Sequence, residues 1–340
     1  MPAEIVILAL DGVSDSGLAV TRDVLRAAST LAAQAGKPAP FRVTLASPRG
    51  GTVRTASGLP VAGTRALARV VGTARGVVRA GGGVAGPVVL VPGIWTERPD
   101  QLDGLLARTD VALAARLLAR AHERGAIVGA ACSATFLLAS AGLLDARRAT
   151  TTWWLAPEMR RRFPEIELVE HEALVVDERV ITAGAVLAVT DLALHVVARF
   201  AGPVAARQTA RVLLLDRHPS QAPYMALRFV TTDDAIVRRA ESWARAHLAD
   251  GFDIATLARR AGASPRTLAR RLDAALGLSP IAFVQRLRLE TAAQLLETSR
   301  LSMAEISARV GYEDADTLAR LLKRDTGLSA RELRRRAVQS

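Results

Sequence analysis

The stretch that decides the fold of the C-terminal part is LARRAGASPRTLARRLDAALGLS, Leu257 to Ser279, because it returns as ISARVGYEDADTLARLLKRDTGLS, Ile306 to Ser329. Leu257, Ala261 and Gly262 correspond to Ile306, Val310 and Gly311; Leu268, Arg270, Leu272, Gly277 and Ser279 correspond to Leu318, Arg320, Leu322, Gly327 and Ser329. The register slips by one residue in the turn, where insertions are tolerated. Each copy reads as a short amphipathic helix, a Gly-containing turn, a second helix and a Gly-Leu-Ser stop. That is the helix-turn-helix arrangement, which lays its second helix in a major groove. Pro265 suits the start of one second helix by its preset φ, and Asp314 the start of the other by complementing the helix dipole. The reading helices are expected over Pro265 to Leu276 and Asp314 to Lys323.

Leu268 and Leu272, or Leu318, Leu321 and Leu322, must face the module's own core. Arg266, Thr267 and Arg270 then point outward in the first copy, and Ala315, Asp316, Thr317 and Arg320 in the second. Arg reaches a guanine edge bidentately and Asp accepts from cytosine, so these are the candidate base readers. For any one of them a solvated face or a phosphate contact is the competing reading. Arg286, Arg288, Arg324, Arg334, Arg335 and Arg336 read as phosphate clamps or plain surface charge, with Arg324 closest to the reading helix. No strand pattern occurs after Asp233.

Charge supports the same partner. The chain carries +12; Asp253 to Ser340 holds 16 Arg or Lys against 10 Asp or Glu, leaving +6 for the preceding 252 residues. The density at the C-terminal end is more than twice that of the rest, which favours a polyanion.

The module resembles the AraC/XylS family of bacterial transcription regulators over roughly Ala235 to Arg336. The run Val310-Gly311-Tyr312-Glu313-Asp314, followed by Leu318, Arg320, Lys323 and Gly327-Leu328-Ser329, looks like that family's second-unit signature. The chain departs from it with Leu318, Leu322 and Leu333 where aromatics are usual, and Ala330 where Pro is usual; apolar swaps of this kind are absorbed by repacking. The resemblance implies that a long helix near Ile281 to Thr298 joins the two units so that they read adjacent major grooves.

The first half alternates buried-strand runs with helical patterns. Ile5 to Leu10, Arg42 to Ala46, Val88 to Val91 and Ile127 to Ala131 read as strands, and Val111 to Arg124 as an amphipathic crossover helix. Strand, helix, strand at this spacing implies an α/β domain, a mostly parallel sheet with helices on both faces. A hairpin over Leu174 to Asp177 and Val180 to Thr182, then a helix from Ala185 to Phe200, close it. The expected organisation is a first domain over 1–202, a linker over 203–232 that bears Pro219 and Pro223, and an all-α domain over 233–340.

Gly129-Ala130-Ala131-Cys132-Ser133-Ala134 follows a buried strand and precedes a helical run, Thr135 to Ala141. Small residues on both sides of a reactive one are what a strained strand-to-helix turn requires, and a helix N-terminus lowers a thiol's pKa. A small hydrophobe packed under a helix fits the same pattern. A single cysteine excludes a disulfide framework and a cysteine-rich zinc site. Gly81-Gly82-Gly83 lacks a phosphate-loop pattern, and no cofactor is expected.

This half resembles the flavodoxin-like PfpI-type, class I glutamine-amidotransferase-like domain. The residues that carry the likeness are Cys132 to Ala139, Ala141-Gly142-Leu143-Leu144-Asp145, Ala149-Thr150-Thr151, and Thr182-Ala183-Gly184 ahead of Asp191-Leu192-Ala193. Joined to AraC-type helices, it looks like the GlxA-type subgroup of regulators. Enzymes of that fold pair a thiolate with a His and commonly a Glu. Here Thr152 stands where the His is expected and Asp23, one methylene shorter, where the Glu is; His171 and His195 match no motif position. Cys132, Asp23 and Thr152 are therefore vestigial catalytic candidates. With Ser133 and Trp95, they are expected to line a ligand pocket at the carboxyl ends of the strands.

The reading that results is a transcription regulator that senses a small metabolite and binds double-stranded promoter DNA. RNA polymerase is a further partner, and the resemblance implies a homodimer. A cysteine-dependent amidase or related hydrolase with an ancillary DNA-binding domain is the alternative, and a non-specific nucleic-acid binder the third. No stretch reaches the roughly 20 uninterrupted apolar residues of a bilayer span; Asp191 and His195 break the longest candidate. Met1 to Leu10 lacks a basic leader and reads as a strand and turn, so a cytoplasmic protein without membrane partners is expected.

Overall fold

The computed structural model describes residues 2–73, 77–78, 84–96, 98–216, 218, 220–221, 224–225, 234–326 and 328–338. Gly81-Gly82-Gly83, Pro219, Pro223, Gly327 and the Arg336 side chain lie outside the described residues. The chain divides into two units, 1–221 and 222–340.

The first unit opens with β1 (Ala3–Leu8), α1 (Asp15–Gln34), β2 (Phe41–Ser47), β3 (Gly51–Arg54), β4 (Pro60–Ala66) and α2 (Leu67–Thr73). A small hairpin, β5 (Val77–Val78) and β6 (Val84–Ala85), precedes β7 (Val88–Val91), α3 (Gln101–Ala107), α4 (Thr109–Glu123), β8 (Ile127–Ala131) and α5 (Thr135–Ser140). Then come β9 (Arg148–Ala149), α6 (Ala156–Arg162), β10 (Glu167–Leu168), β11 (Leu174–Asp177), β12 (Val180–Ala183), α7 (Val189–Ala201) and α8 (Pro203–Val212). Eight strands form one sheet in the order β11-β12-β8-β7-β1-β2-β4-β3. Its central pairings are parallel, and the edge strands β11 and β3 run antiparallel to β12 and β4.

The continuous apolar runs of β7 and β8 are buried at every residue because helices cover both faces. One core lies under α2 to α6, with Val89, Val91, Leu102, Leu118, Val128 and Phe136. The other lies under α1 and α7, with Ile5, Ile7, Leu25, Leu90, Leu192 and Val196. The helix expected from Ala185 to Phe200 begins as a 3-10 turn, Val186–Ala188, and becomes α-helical at Val189.

The expected linker 203–232 is corrected in part. Pro203 starts α8 at its first turn, and Ala205, Ala206, Ala210, Leu213 and Leu215 pack onto the α1–α7 core. These residues recur at helical spacing and bury one face, so the first unit extends to Gln221.

The second unit contains α9 (Ala235–Ala246), α10 (Ile254–Arg260), α11 (Pro265–Leu276), α12 (Pro280–Thr298), α13 (Met303–Val310), α14 (Ala315–Thr326) and α15 (Ala330–Val338). It has two cores. Val237, Leu257, Leu268, Leu272 and Phe283 centre the first, and Ile306, Val310, Leu318, Leu322 and Leu333 the second. Helix α12 serves both, giving Phe283, Val284 and Leu287 to one and Leu289, Ala292 and Leu296 to the other. No described helix is long and apolar enough to cross a membrane.

Candidate functional site

Strand β8 ends at Ala131, and the chain turns at Cys132 with φ +55, a left-handed conformation that costs a non-glycine residue about 1–2 kcal/mol. Neighbouring strands hold it there. The Cys132 amide donates to Gly184 O, just past β12, at 2.8 Å. On the β7 side, a Cβ on Gly93 would lie 2.9 Å from Cys132 Cβ and 3.6 Å from its Sγ, so only glycine admits this approach. The Ser133 hydroxyl ties the turn to the loop after β7, bonding Ile94 O and accepting from Ile94 N at 3.0 Å. Below, Thr135 Oγ1 lies 2.7 Å from both Cys132 O and Thr151 Oγ1. The strained elbow is thus set by three hydroxyls and by backbone just past the ends of β7 and β12.

The thiol is buried, and that burial pushes its pKa up to about 11; the Ser133 amide and the Thr152 and Ser133 hydroxyls pull the other way more weakly. Among the described residues no charged group acts on it. Thr152, fully buried where the family's His is expected, has an Oγ1 without a partner in hydrogen-bond geometry. A thiol held protonated beside hydroxyls is a weak nucleophile.

Asp23 is a correction. It is exposed on α1, off the buried stripe of Leu18, Thr21, Val24, Leu25 and Ala28. The residue that α1 turns toward the loop is Gly17, whose added Cβ would lie 3.5 Å from Pro92 Cβ and 2.2 Å from Ser14 Oγ. The Ser14 hydroxyl is buried and unpartnered, and its amide donates to Gly93 O at 2.8 Å. Trp95 follows this loop, its amide on Gly12 O at 2.8 Å and its side chain 57 % exposed. The structure therefore brings Cys132, Ser133 and Thr152 together, leaves Trp95 exposed beyond the loop, and leaves Asp23 out. Ser14 and Gly93 were missed; the Pro92-Gly93 strand end was their one signal. Among the described residues no group of three His, Cys, Asp or Glu is placed to hold a metal.

In the second unit, α10 and α11 form one helix-turn-helix and α13 and α14 the other. Ser264 caps α11, accepting from Thr267 N at 3.1 Å, and Asp314 caps α14, accepting from Thr317 N at 2.8 Å. Arg266 and Arg270 are exposed on α11, and Asp316, Arg320 and Arg324 on α14; Thr267, Ala315 and Thr317 are half-buried. Arg320 leans on Thr317 Oγ1 at 3.1 Å. Thr267 is drawn into the cap, its hydroxyl 2.9 Å from Ser264 Oγ.

Arg286 and Arg288 are not phosphate clamps. Arg286, 15 % exposed, bonds Asp325 at 2.8 Å and lies 3.5 Å from Glu290. Glu290 also pairs with Arg245 at 3.0 Å, which ties α9, α12 and α14 together. Burial raises the Asp325 pKa, and Arg286 opposes the rise. Arg288 lies over the Tyr312 ring, 5.4 Å from its centroid. Beside it Gly311, at φ +77, closes the second turn so near Leu248 O that a Cβ would be 2.1 Å away. The two helix-turn-helix copies are thereby locked through α12.

A model of the DJ-1/PfpI family matches residues 105–199, and a helix-turn-helix domain model matches residues 257–336. A DJ-1/PfpI-like stretch is thus followed in one chain by a helix-turn-helix stretch. It is 29% identical over 317 residues to the HTH-type transcriptional regulator GlxA of Rhizobium meliloti (strain 1021), covering 92% of this chain and 90% of that protein. To the arabinose operon regulatory protein of Salmonella typhimurium it is 35% identical over 102 residues, 30% of this chain and 36% of the relative. A solved AraC family transcriptional regulator from Pseudomonas putida covers 62% of this chain and 100% of its own at TM-score 0.50 and 20% identity, a likeness of fold.

Proposed function

We propose that this chain is a sequence-specific transcription regulator whose DJ-1/PfpI unit binds a small-molecule effector and whose helical unit reads promoter DNA. The observation that carries the proposal is the pair of capped helices, α11 and α14, exposing Arg266, Arg270, Asp316 and Arg320 from one scaffold built on α12. The names of the relatives, a transcriptional regulator similar over nearly the whole chain and an operon regulatory protein similar over 102 residues, support it. A gel shift with DNA from around its own gene, under excess non-specific competitor, gives a salt-sensitive and sequence-selective complex. A salt-sensitive shift without selectivity, or no shift, overturns the proposal.

In this reading the first unit is a sensor and not an enzyme, because burial pushes the Cys132 pKa up to about 11 and, among the described residues, no charged group acts on the thiol. Turnover of amide or glyoxal substrates that disappears with Cys132→Ser would restore the hydrolase reading. The regulator works in the cytoplasm as a homodimer joined through the first unit, and contacts RNA polymerase at the promoter. A monomeric mass in sedimentation equilibrium at micromolar concentration would remove the dimer from this account.

A further inference from the structure

Next to the Cys132 elbow the first unit contains a second polar site filled by its own chain. Gln221 is 4 % exposed. Its Nε2 donates to Glu170 O at 2.7 Å and Thr151 O at 2.8 Å, with Thr150 Oγ1 at 3.4 Å, and its Oε1 accepts from Ala185 N at 3.1 Å. Gly184 makes the room, since a Cβ there would lie 2.3 Å from Oε1 and 2.8 Å from Nε2. Two carbonyl acceptors facing one backbone donor match a primary carboxamide. A carboxylate would set its second oxygen against Glu170 O and Thr151 O, with no proton between them.

The groups that grip this amide also hold Cys132. Gly184 O accepts the Cys132 amide at 2.8 Å, and Thr151 Oγ1 lies 3.2 Å from Cys132 O. The strap that brings Gln221 in is tied to the rest of the first unit by polar contacts, among them a bridge between Ser220 and Glu172 and the His218 ring 3.4 Å from Asp191 Oδ2. The Gln221 amide donates to His171 O at 2.9 Å, Ser220 Oγ donates to His171 O at 2.7 Å, and His218 N donates to Asp191 Oδ1 at 3.2 Å. Gln221 is the last residue of the first unit, so releasing it lengthens the connection to the second.

We propose that this is a carboxamide-binding site with Gln221 as its tethered occupant, and that a small molecule bearing a primary carboxamide displaces Gln221 and frees the strap. The release rests on the reading of the first unit as a sensor; the amide site itself does not. A tethered group competes at an effective concentration of order millimolar, so removing it exposes the site to free ligand.

Propionamide, which reproduces the glutamine side chain, tests this on the full chain. Calorimetric titration is expected to give at least a tenfold tighter complex with Gln221→Ala than with the unsubstituted chain, and propionate is expected to bind neither. Saturating propionamide is expected to speed hydrogen exchange at the His218 and Gln221 amides of the unsubstituted chain. Equal affinities, no propionamide binding by either protein, or equal binding of propionate overturns the site. A side chain that merely staples the strap would lower thermal stability in Gln221→Ala and leave the amide unbound. Should that variant not fold, Gln221→Glu, whose carboxylate is repelled by the same oxygens, is expected to show the same gain. Amide binding that leaves exchange at His218 and Gln221 unchanged overturns the release alone. Loss of the gel shift, by contrast, would sink the regulator reading and leave the site standing.

Discussion

The two units define their helices by different means. In the first, α1 and α3 to α8 begin without a side-chain hydrogen bond at the cap. In the second, Asp234, Asp253, Ser264, Ser279, Ser302, Asp314 and Ser329 each accept a backbone amide at the start of a helix. A helix laid across a sheet has its ends set by the strands it connects and its stability by the face it buries. Short helices around two small cores lack that frame, so each must satisfy its own first amides. The contrast extends to the candidate sites: the first unit's is buried and, among the described residues, acted on by no charge, the second's an exposed set of charges on fixed helices.

The largest test of this contrast is in the second unit's core. Phe283 is fully buried at the point where α12 enters the first of the two cores. Phe283→Ala is expected to cost about 3–5 kcal/mol, read by denaturant unfolding, because a small core has little material to collapse into the gap. A loss below about 1 kcal/mol would mean that α12 is held elsewhere.

The burial of the first site is tested at its thiol. A pKa near 11 in place of 9 leaves about one hundredth of the ordinary thiolate at pH 8, so native alkylation by iodoacetamide is expected to be roughly 100-fold slower than in urea. Because the folded value is raised, the stability that Cys132 contributes is fully present below pH 9 and is lost between pH 9 and 11. Rapid native labelling at pH 8 would place a base beside the thiol and reopen catalysis.

At the charged site, Arg320→Ala and Arg270→Ala are each expected to weaken operator binding by about 1–3 kcal/mol and to relax preference at one base pair, in gel shifts against a panel of single-base operator variants. Arg324→Ala, at the end of α14, is expected to weaken all sequences alike. Uniform weakening by all three would make these contacts phosphate contacts.

What the sequence displayed follows the same division. Strands β7 and β8 and helix α11 lie where their patterns place them, because a continuous apolar run and a Ser-Pro helix start are local signals. Helix α14 runs past Lys323 to Thr326, whose buried hydroxyl bonds Leu322 O at 2.8 Å and prolongs the stripe. In the first unit, Cys132 and Ser133 were legible from their place after a strand end, and Thr152 only through the family resemblance. Asp23 was not, since its side of α1 is decided by which stripe the sheet covers. Gln221 sits in a polar, Pro-bearing stretch that resembles a tether; its docking depends on Gly184 and Glu170, which are distant in sequence and carry no pattern that points to it.

The smallest effect tests the capping contrast most directly, because one chemical change is made in both units. Ser279 Oγ accepts the Ala282 amide at 3.2 Å, and Ser279→Ala is expected to cost about 1 kcal/mol by removing the partner of an orphan amide. Ser14 occupies the same position before α1, with extended backbone, but makes no cap bond and buries an unpartnered hydroxyl. Its replacement by Ala loses no hydrogen bond and removes a desolvated polar atom, so Ser14→Ala is expected to be neutral or slightly stabilising in the same denaturation assay. If both changes cost the same, serine before a helix matters for reasons other than the cap. If the Ser14 change alone is costly, that hydroxyl makes an interaction that its burial conceals.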